Sequence, residues 1–200
     1  MIYSVYGYGK LKTEASIGLA IRAVANKHKV LYAQFLKDGK SSETKVLREL
    51  GVTCVCTNQL GFNHTEATEN NCKILLNSII THICSSPVQE DLEEYGLIVL
   101  DELLVAYDLG YIPISYIRDL IYEAKNHNVD ICMTGRVNSK TKRNDIELLS
   151  DIVTNAYAVK HWYNKLCKAC NCEYQYHYEY CPSCGSKLEK SNPPKKGRDF

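Results

Sequence analysis

Short apolar runs alternate with longer amphipathic stretches along most of the chain. The apolar runs predict six β-strands, at residues 2–5, 29–35, 52–56, 97–100, 129–133 and 152–159. Apolar residues at helical spacing predict helices after residue 13 and near residues 46–50, 66–83, 114–125 and 146–149. Strands that alternate with helices are typical of an α/β fold, with a mostly parallel sheet and helices on both faces. Sheets of this kind bind ligands at the carboxyl ends of their strands.

The composition is that of an ordinary folded domain, and it narrows the classes of function. The 200 residues are 45% hydrophobic and 24% charged, which excludes a disordered chain. The formal net charge is +1, so charge gives no reason to expect nucleic acid as a partner. No run reaches the roughly 18 apolar residues of a membrane span, and the N-terminal residues lack a secretory-signal pattern. We therefore expect a cytoplasmic protein with no membrane partner.

The turn between the first strand and the first helix has the layout of a phosphate-binding loop. It contains Gly7, Tyr8, Gly9, Lys10, Leu11, Lys12, Thr13 and Glu14. Glycines let backbone N–H groups converge on phosphate oxygens, a lysine meets their charge, and a hydroxyl can hold Mg²⁺. Leu11 stands where the usual pattern has a glycine directly before the lysine. The alternative is a glycine-rich turn whose lysines lie in solvent.

Two acidic residues, Asp101 and Glu102, directly follow the apolar run at residues 97–100. An acid at the tip of a buried strand is the Walker B arrangement, which supports Mg²⁺ beside a phosphate-binding loop. The alternative is that Asp101 caps the helix that follows. The loop and the acids together favour phosphate binding.

Half of the ten cysteines lie in one short segment near the C-terminus. Two C-x-x-C pairs, Cys167 with Cys170 and Cys181 with Cys184, are separated by ten residues. This spacing is typical of four thiolates around one structural Zn²⁺, and the alternatives are redox-active cysteines or disulfides. We therefore predict a nucleotide-binding domain at residues 1–163, a zinc ribbon at 164–190 and a flexible basic tail at 191–200.

Residues 2–163 resemble the P-loop corrinoid adenosyltransferases, which transfer the adenosyl group of ATP to cob(I)alamin. The resemblance rests on six short segments that occur in the family's order. They are 7–14 against G-N-G-K-G-K-T-T, 34–39 against Q-F-x-K-G, 61–64 against G-F-T-W, 99–102 against V-L-D-E, 134–136 against T-G-R, and 150–161 against A-D-L-V-T…K-H.

The resemblance implies a P-loop fold and a reaction in which the cobalt of a reduced corrinoid attacks the 5′ carbon of ATP and triphosphate leaves. The loop residues would bind the nucleotide, with Lys12 on the triphosphate. Thr13 and Glu102 would support Mg²⁺, while Lys10 and Arg136 would add positive charge beside the leaving group. Lys12, Glu102 and Arg136 are therefore the predicted catalytic residues.

The family's G-F-T-W segment presses on the corrin and keeps the lower axial ligand away. Phe62 matches its phenylalanine and His64 stands at its tryptophan, so both are predicted to bind the corrinoid. The imidazole of His64 either ligates cobalt or lies in solvent. The family also implies a homodimer, and the need for cob(I)alamin implies a reductase as a partner.

Two other functions fit parts of the sequence. A catalytically inactive relative would bind nucleotide or corrinoid and use the zinc ribbon to dock on a partner. A nucleoside kinase similar to the type II thymidine kinases would also combine a P-loop domain with a zinc-binding segment. The T-G-R and G-F-x-x segments favour the corrinoid family over the kinase.

Overall fold

The computed structural model describes residues 1–9, 11–58, 65–85, 95–157, 165–169, 172–174, 179–181 and 184–190. The chain divides into two compact units, Met1–Tyr157 and Ala158–Phe200. Within the described ranges, no helix is long and apolar enough to cross a membrane. The domain boundaries expected at residues 163 and 190 stay predictions.

The described residues of the first unit form a six-stranded sheet in which every pair of neighbouring strands is parallel. Its strands are β1 (Ile2–Tyr6), β2 (Lys29–Gln34), β3 (Thr53–Cys56), β4 (Tyr95–Asp101), β5 (Asp130–Gly135) and β6 (Ile152–Asn155). Its helices are α1 (Lys12–Ala25), α2 (Ser42–Glu49), α3 (Glu66–Ser85), α4 (Leu103–Asp108), α5 (Ile114–Asn126) and α6 (Lys140–Leu149). The strand order is β3-β2-β4-β5-β1-β6, so β4 lies between β2 and β5.

Neighbouring residues of a strand enter two separate cores, one on each face of the sheet. Leu100 of β4 lies in the core that contains Leu76 of α3 and Ile117 of α5. Val99, the residue before it, lies in the core that contains Ala20 of α1. Because successive side chains of a strand point to opposite faces, helices cover both faces of the sheet. The predicted α/β fold is therefore confirmed.

Two helices differ from the prediction. The short helix α4 was not predicted, because its residues from Leu103 to Tyr107 are all buried and a helix buried all round has no amphipathic period. Helix α6 was predicted only near its apolar end but begins earlier, at Lys140. Its first turn is stabilised by Ser139, whose hydroxyl accepts a hydrogen bond from the Lys142 N–H at 3.4 Å.

The last strand of the first unit is shorter than predicted. Strand β6 ends at Asn155, and residues 156 and 157 lie beyond it. The carbonyl of Ala156 accepts a hydrogen bond from the N–H of Gly9 at 2.8 Å. The chain after β6 therefore supports the glycine-rich loop after β1. Residues 158 and 159 lie outside the described residues.

Among its described residues, the second unit contains three short antiparallel strands, in the order β8-β7-β9. They are β7 (Lys165–Cys167), β8 (Cys172–Tyr174) and β9 (Glu189–Lys190). Cys167, Cys181 and Leu188 are buried together in this unit. An isolated bridge between Tyr180 and Lys187 closes the turn that carries Cys181. These elements agree with the small ribbon-like module that the cysteine spacing predicted.

Candidate active site

The glycines of the predicted phosphate loop are required by close packing against the chain after β6. A Cβ on Gly7 would lie 2.2 Å from the carbonyl oxygen of Ala156, and a Cβ on Gly9 would lie 2.9 Å from the carbonyl carbon of Ala156. Gly7 also has a φ of +122°, a conformation that residues with a side chain rarely adopt. Close packing against Ala156 therefore requires glycine at positions 7 and 9, independently of any phosphate binding.

Leu11, which replaces the glycine of the usual pattern, adopts a backbone conformation that glycine favours. Its φ is +74° and its ψ is +9°, in the left-handed region directly before α1. The side chain is 68% exposed and points to solvent. The Leu11 carbonyl accepts a hydrogen bond from the N–H of Ala15 at 3.0 Å and so begins the helix. Leu11 thus provides a glycine-like turn at the cost of backbone strain.

We expect Leu11→Gly to raise the free energy of unfolding by about 0.5–1 kcal/mol. The left-handed conformation costs an L-residue roughly 1–2 kcal/mol, and the greater freedom of glycine in the unfolded chain offsets part of this gain. Leu148→Gly is the matched control, because Leu148 is 86% exposed in the right-handed helix α6 and its replacement should lower stability. Urea unfolding measures both changes. A lower free energy of unfolding in Leu11→Gly would contradict the conclusion that the Leu11 backbone is strained.

Lys12 is held against the backbone of the loop. Its side chain is 8% exposed, and its ammonium donates a hydrogen bond to the Gly9 carbonyl at 2.6 Å. Burial lowers the pKa of Lys12, and the negative charge of Glu102 works against that lowering. A partly dehydrated ammonium beside a glycine-rich loop is suited to a charge-assisted contact with a phosphate.

Asp101, the last residue of β4, is the centre of the site and is 0% exposed. Its Oδ1 accepts hydrogen bonds from the hydroxyls of Thr13, at 2.9 Å, and Thr134, at 2.8 Å. Its Oδ2 accepts hydrogen bonds from the ammonium of Lys37, at 2.7 Å, and the amide of Gln34, at 3.4 Å. The carboxylate thus joins the start of α1 to the ends of β2 and β5. It does not cap the following helix.

Lys37 and Gln34 extend the site towards α2, and sequence reasoning gave them no role. The Lys37 ammonium lies 3.6 Å from a carboxylate oxygen of Glu43, and the Gln34 amide donates to the same oxygen at 3.1 Å. Burial opposes the charge on Lys37, but the carboxylates of Asp101, Glu43 and Glu102 together outweigh burial and raise the pKa of Lys37. The only sequence signal for both residues was their place in the family-like segment 34–39.

Glu102 and Thr13 offer oxygen ligands that fit Mg²⁺. The Glu102 carboxylate makes no hydrogen bond to the described part of the chain. Burial and the neighbouring charge of Asp101 raise the pKa of Glu102, so a nearby cation would favour its ionised form. The Thr13 hydroxyl gives its proton to Asp101, which leaves its lone pairs available to a metal. Carboxylate and hydroxyl oxygens are ligands that Mg²⁺ accepts.

Three other predicted residues lie around the same edge of the sheet. Arg136 follows β5 and is exposed, and its positive charge adds to the effect of burial in lowering the pKa of Lys12. The Tyr8 hydroxyl donates a hydrogen bond to Oδ1 of Asn138 at 2.5 Å, which ties the loop to the segment after β5. Glu14 is exposed in the first turn of α1.

The predicted roles of Lys10, Phe62 and His64 fall on residues outside the described part of the chain. The described residues stop at Asn58 and resume at Thr65 on either side of the predicted corrinoid-binding segment. Corrinoid binding by Phe62 and His64 and the charge contribution of Lys10 therefore stay predictions.

In the second unit, three of the four predicted zinc ligands lie together. The Sγ atoms of Cys167, Cys181 and Cys184 are all within 4.8 Å of one another. The sulfurs of Cys167 and Cys184 are 3.6 Å apart, close to the roughly 3.8 Å that two thiolates on one tetrahedral Zn²⁺ would have. Gly185, at φ +73°, donates its N–H to the Cys181 carbonyl at 2.8 Å and forms a tight turn. Cys170 lies outside the described residues.

Comparison with known proteins identifies the family of the chain. Residues 1–172 match the family model described as ATP:corrinoid adenosyltransferase BtuR/CobO/CobP. A corrinoid adenosyltransferase from a Sinorhizobium species is 26% identical over 164 residues, which cover 82% of this chain and 74% of the relative. The matched region contains the glycine-rich loop, the acids after β4 and the T-G-R segment. The chain therefore belongs to the ATP:corrinoid adenosyltransferase family and is an adenosyltransferase.

Proposed function

We propose that this protein transfers the 5′-deoxyadenosyl group of ATP to the cobalt of cob(I)alamin and releases triphosphate. The observation that supports this most strongly is the cluster around Asp101, which joins the glycine-rich loop to the ends of β2 and β5. Family membership supplies the corrinoid as the acceptor class. The cluster and Lys12 supply charged and hydroxyl groups suited to binding a nucleoside triphosphate and its metal ion.

In the proposed reaction, an electron pair of Co(I) forms a bond to C5′ of the ATP ribose. The C5′–O bond breaks and its electrons leave with the triphosphate, so that cobalt becomes formally Co(III). No proton moves, and the protein acts by positioning the substrates and neutralising charge. Lys12 would bind the triphosphate, and Lys10 and Arg136 would balance the charge that the triphosphate gains on leaving.

Thr13 and Glu102 would hold Mg²⁺, which neutralises phosphate charge when it is bound. Asp101 has a different role in this proposal. Its carboxylate already accepts four hydrogen bonds, so it orients Thr13 instead of binding the metal directly. The remaining residues of the loop, 7–14, would contact phosphate oxygens through their backbone N–H groups.

The corrinoid would bind beside the segment 61–64. Phe62 would lie against the corrin and exclude a lower axial ligand, and His64 would complete this surface. We propose that His64 stays off cobalt during transfer, because imidazole ligation would oppose formation of Co(I). A homodimer, a reductase that supplies Co(I) and a cytoplasmic location belong to the same proposal.

We also propose that Cys167, Cys170, Cys181 and Cys184 bind one structural Zn²⁺. The three described sulfurs support this, because two of them are nearly inaccessible: Cys167 is 0% and Cys181 is 2% exposed. Strands of two or three residues bury little apolar surface. In such a unit, metal binding supplies most of the folding free energy.

Product analysis separates the proposed reaction from the two alternatives. With ATP, Mg²⁺ and chemically reduced cobalamin in the absence of oxygen, we expect equal amounts of triphosphate and adenosylcobalamin and no ADP. Phosphorus NMR distinguishes triphosphate from ADP. Formation of ADP in the presence of a nucleoside would support a kinase, and ATP binding without turnover would support an inactive relative. Either result would contradict the proposal.

A further inference from the structure

Thr134 uses its hydroxyl twice, once towards each acid at the end of β4. The hydroxyl donates a hydrogen bond to Oδ1 of Asp101 at 2.8 Å and accepts one from the backbone N–H of Glu102 at 3.1 Å. Thr134 is 0% exposed, so water does not compete for either bond. A hydroxyl has one proton and two lone pairs, which allows both bonds at once.

The backbone of Glu102 is held in a conformation that residues with a side chain rarely adopt. Its φ is +63° and its ψ is +12°. The Thr134 hydroxyl accepts a hydrogen bond from the N–H of Glu102. The N–H groups of Val105 and Ala106 donate hydrogen bonds to the Glu102 carbonyl at 3.1 and 3.2 Å. These bonds fix the peptide groups on both sides of Glu102. They therefore also fix the direction in which its side chain leaves the backbone.

Gly135 allows β5 to approach α4 closely enough for this contact. A Cβ at Gly135 would lie 2.7 Å from the backbone nitrogen of Val105 and 2.9 Å from the Cβ of Leu104. Its φ of +149° is a second reason for glycine at this position. The start of α4 thus packs directly against the end of β5. This packing brings the Thr134 hydroxyl within hydrogen-bond distance of the Glu102 N–H.

We propose that Thr134 is a positioning residue that directs the Glu102 carboxylate towards the divalent cation that accompanies ATP. The proposal rests on the proposed function, because its ligand is Mg²⁺ with ATP. Thr134 and Thr13 both donate to Oδ1 of Asp101, so one carboxylate oxygen supports both candidate metal ligands, Thr13 and Glu102. Without the Thr134 hydroxyl, the Glu102 N–H loses its acceptor, and the carboxylate is held less firmly in its direction because only the bonds to the Glu102 carbonyl remain.

Two substitutions of Thr134 separate the hydroxyl from the shape of the side chain. Thr134→Val removes the hydroxyl and keeps the shape, and Thr134→Ser keeps the hydroxyl as the matched control. Calorimetry measures the ATP affinity of each protein with Mg²⁺ and with a chelator in its place. With Mg²⁺, we expect Thr134→Val to lower the affinity for ATP about tenfold, because it removes one hydrogen bond near a charged group. Without Mg²⁺, the affinity for ATP should change little. Thr134→Ser should resemble the natural protein in both conditions.

Glu102→Gln tests whether Thr134 acts through Glu102. If it does, adding Thr134→Val to Glu102→Gln should cost little further affinity, because the two residues form one unit.

An equal loss of ATP affinity in Thr134→Val with and without Mg²⁺ would indicate a structural role only and would overturn the proposal. An unchanged affinity would overturn it as well. If circular dichroism shows that Thr134→Val is unfolded, Thr134→Ala takes its place in the same measurements. Absence of ATP binding by the natural protein would overturn the proposed function as well, whereas binding without a Mg²⁺-specific loss would overturn only the role of Thr134.

Discussion

Replacing Lys12 with alanine should abolish adenosyl transfer and lower the affinity for ATP at least about tenfold. A charge-assisted contact to a phosphate is worth about 1.5–3 kcal/mol, and about 1.4 kcal/mol corresponds to a tenfold change in affinity. Lys12 is already confined, since it is 8% exposed and bonded to the Gly9 carbonyl, so little reorganisation is needed to meet a phosphate. Transfer depends on it further because negative charge builds up on the triphosphate as the C5′–O bond breaks.

Lys125→Ala is the matched control for Lys12→Ala. Lys125 lies near the end of α5, the helix that leads into β5, and is therefore near the amino ends of the strands, whereas the loop follows the carboxyl end of β1. It is 55% exposed, and its ammonium is 3.8 Å from Asp151. The control removes the same charge and should leave ATP affinity and transfer unchanged. Calorimetry and a transfer assay measure both variants. ATP affinity that is unchanged in Lys12→Ala would show that the loop is structural only.

Removing zinc should unfold the second unit and leave the six-stranded sheet of the first unit folded. Protein purified without added zinc should contain about one ion per chain by metal analysis. Structural zinc contributes about 10–16 kcal/mol of binding free energy in zinc-finger peptides, far more than the packing of short strands such as β7, β8 and β9 could supply. After treatment with a chelator, we expect the cluster thiols to react with an alkylating reagent and proteolysis to begin within residues 158–200.

Two cysteine variants make the zinc prediction specific. Cys181→Ser removes a buried ligand and should lower the zinc content, whereas Cys84→Ser removes an exposed thiol on α3 and should leave it unchanged. Native protein that contains no zinc and whose four cluster cysteines react readily with the alkylating reagent would contradict the metal site. Loss of zinc in Cys84→Ser alone would contradict the proposed ligands.

The main elements of the first unit could be predicted because their signals are local. A buried strand such as β4 is an uninterrupted apolar run with acids at its end, and the glycine-rich loop is a continuous segment. Helix α4 could not be predicted in this way, because it is enclosed on all sides and shows no helical period. Leu11 illustrates a different limit: the residue departs from the glycine pattern, yet its φ of +74° provides a glycine-like turn.

The partners of Asp101 could not be predicted from the sequence pattern. Its contacts with Lys37 and Thr134 span 64 and 33 residues along the chain. These contacts exist because β4 lies between β2 and β5, and the alternation of apolar and polar residues does not predict this strand order. The family-like segments 34–39 and 134–136 marked both residues as noteworthy. Only the fold explains why they occur together.

The most direct test of corrinoid adenosyl transfer follows the absorbance of Co(I) in the absence of oxygen. Natural protein is mixed with chemically reduced cobalamin, and ATP with Mg²⁺ is then added. We expect the Co(I) absorbance to fall at a rate proportional to protein concentration, with formation of a light-sensitive cobalt–carbon product, and no fall with Lys12→Ala. Co(I) absorbance that persists with the natural protein at saturating ATP would contradict the account.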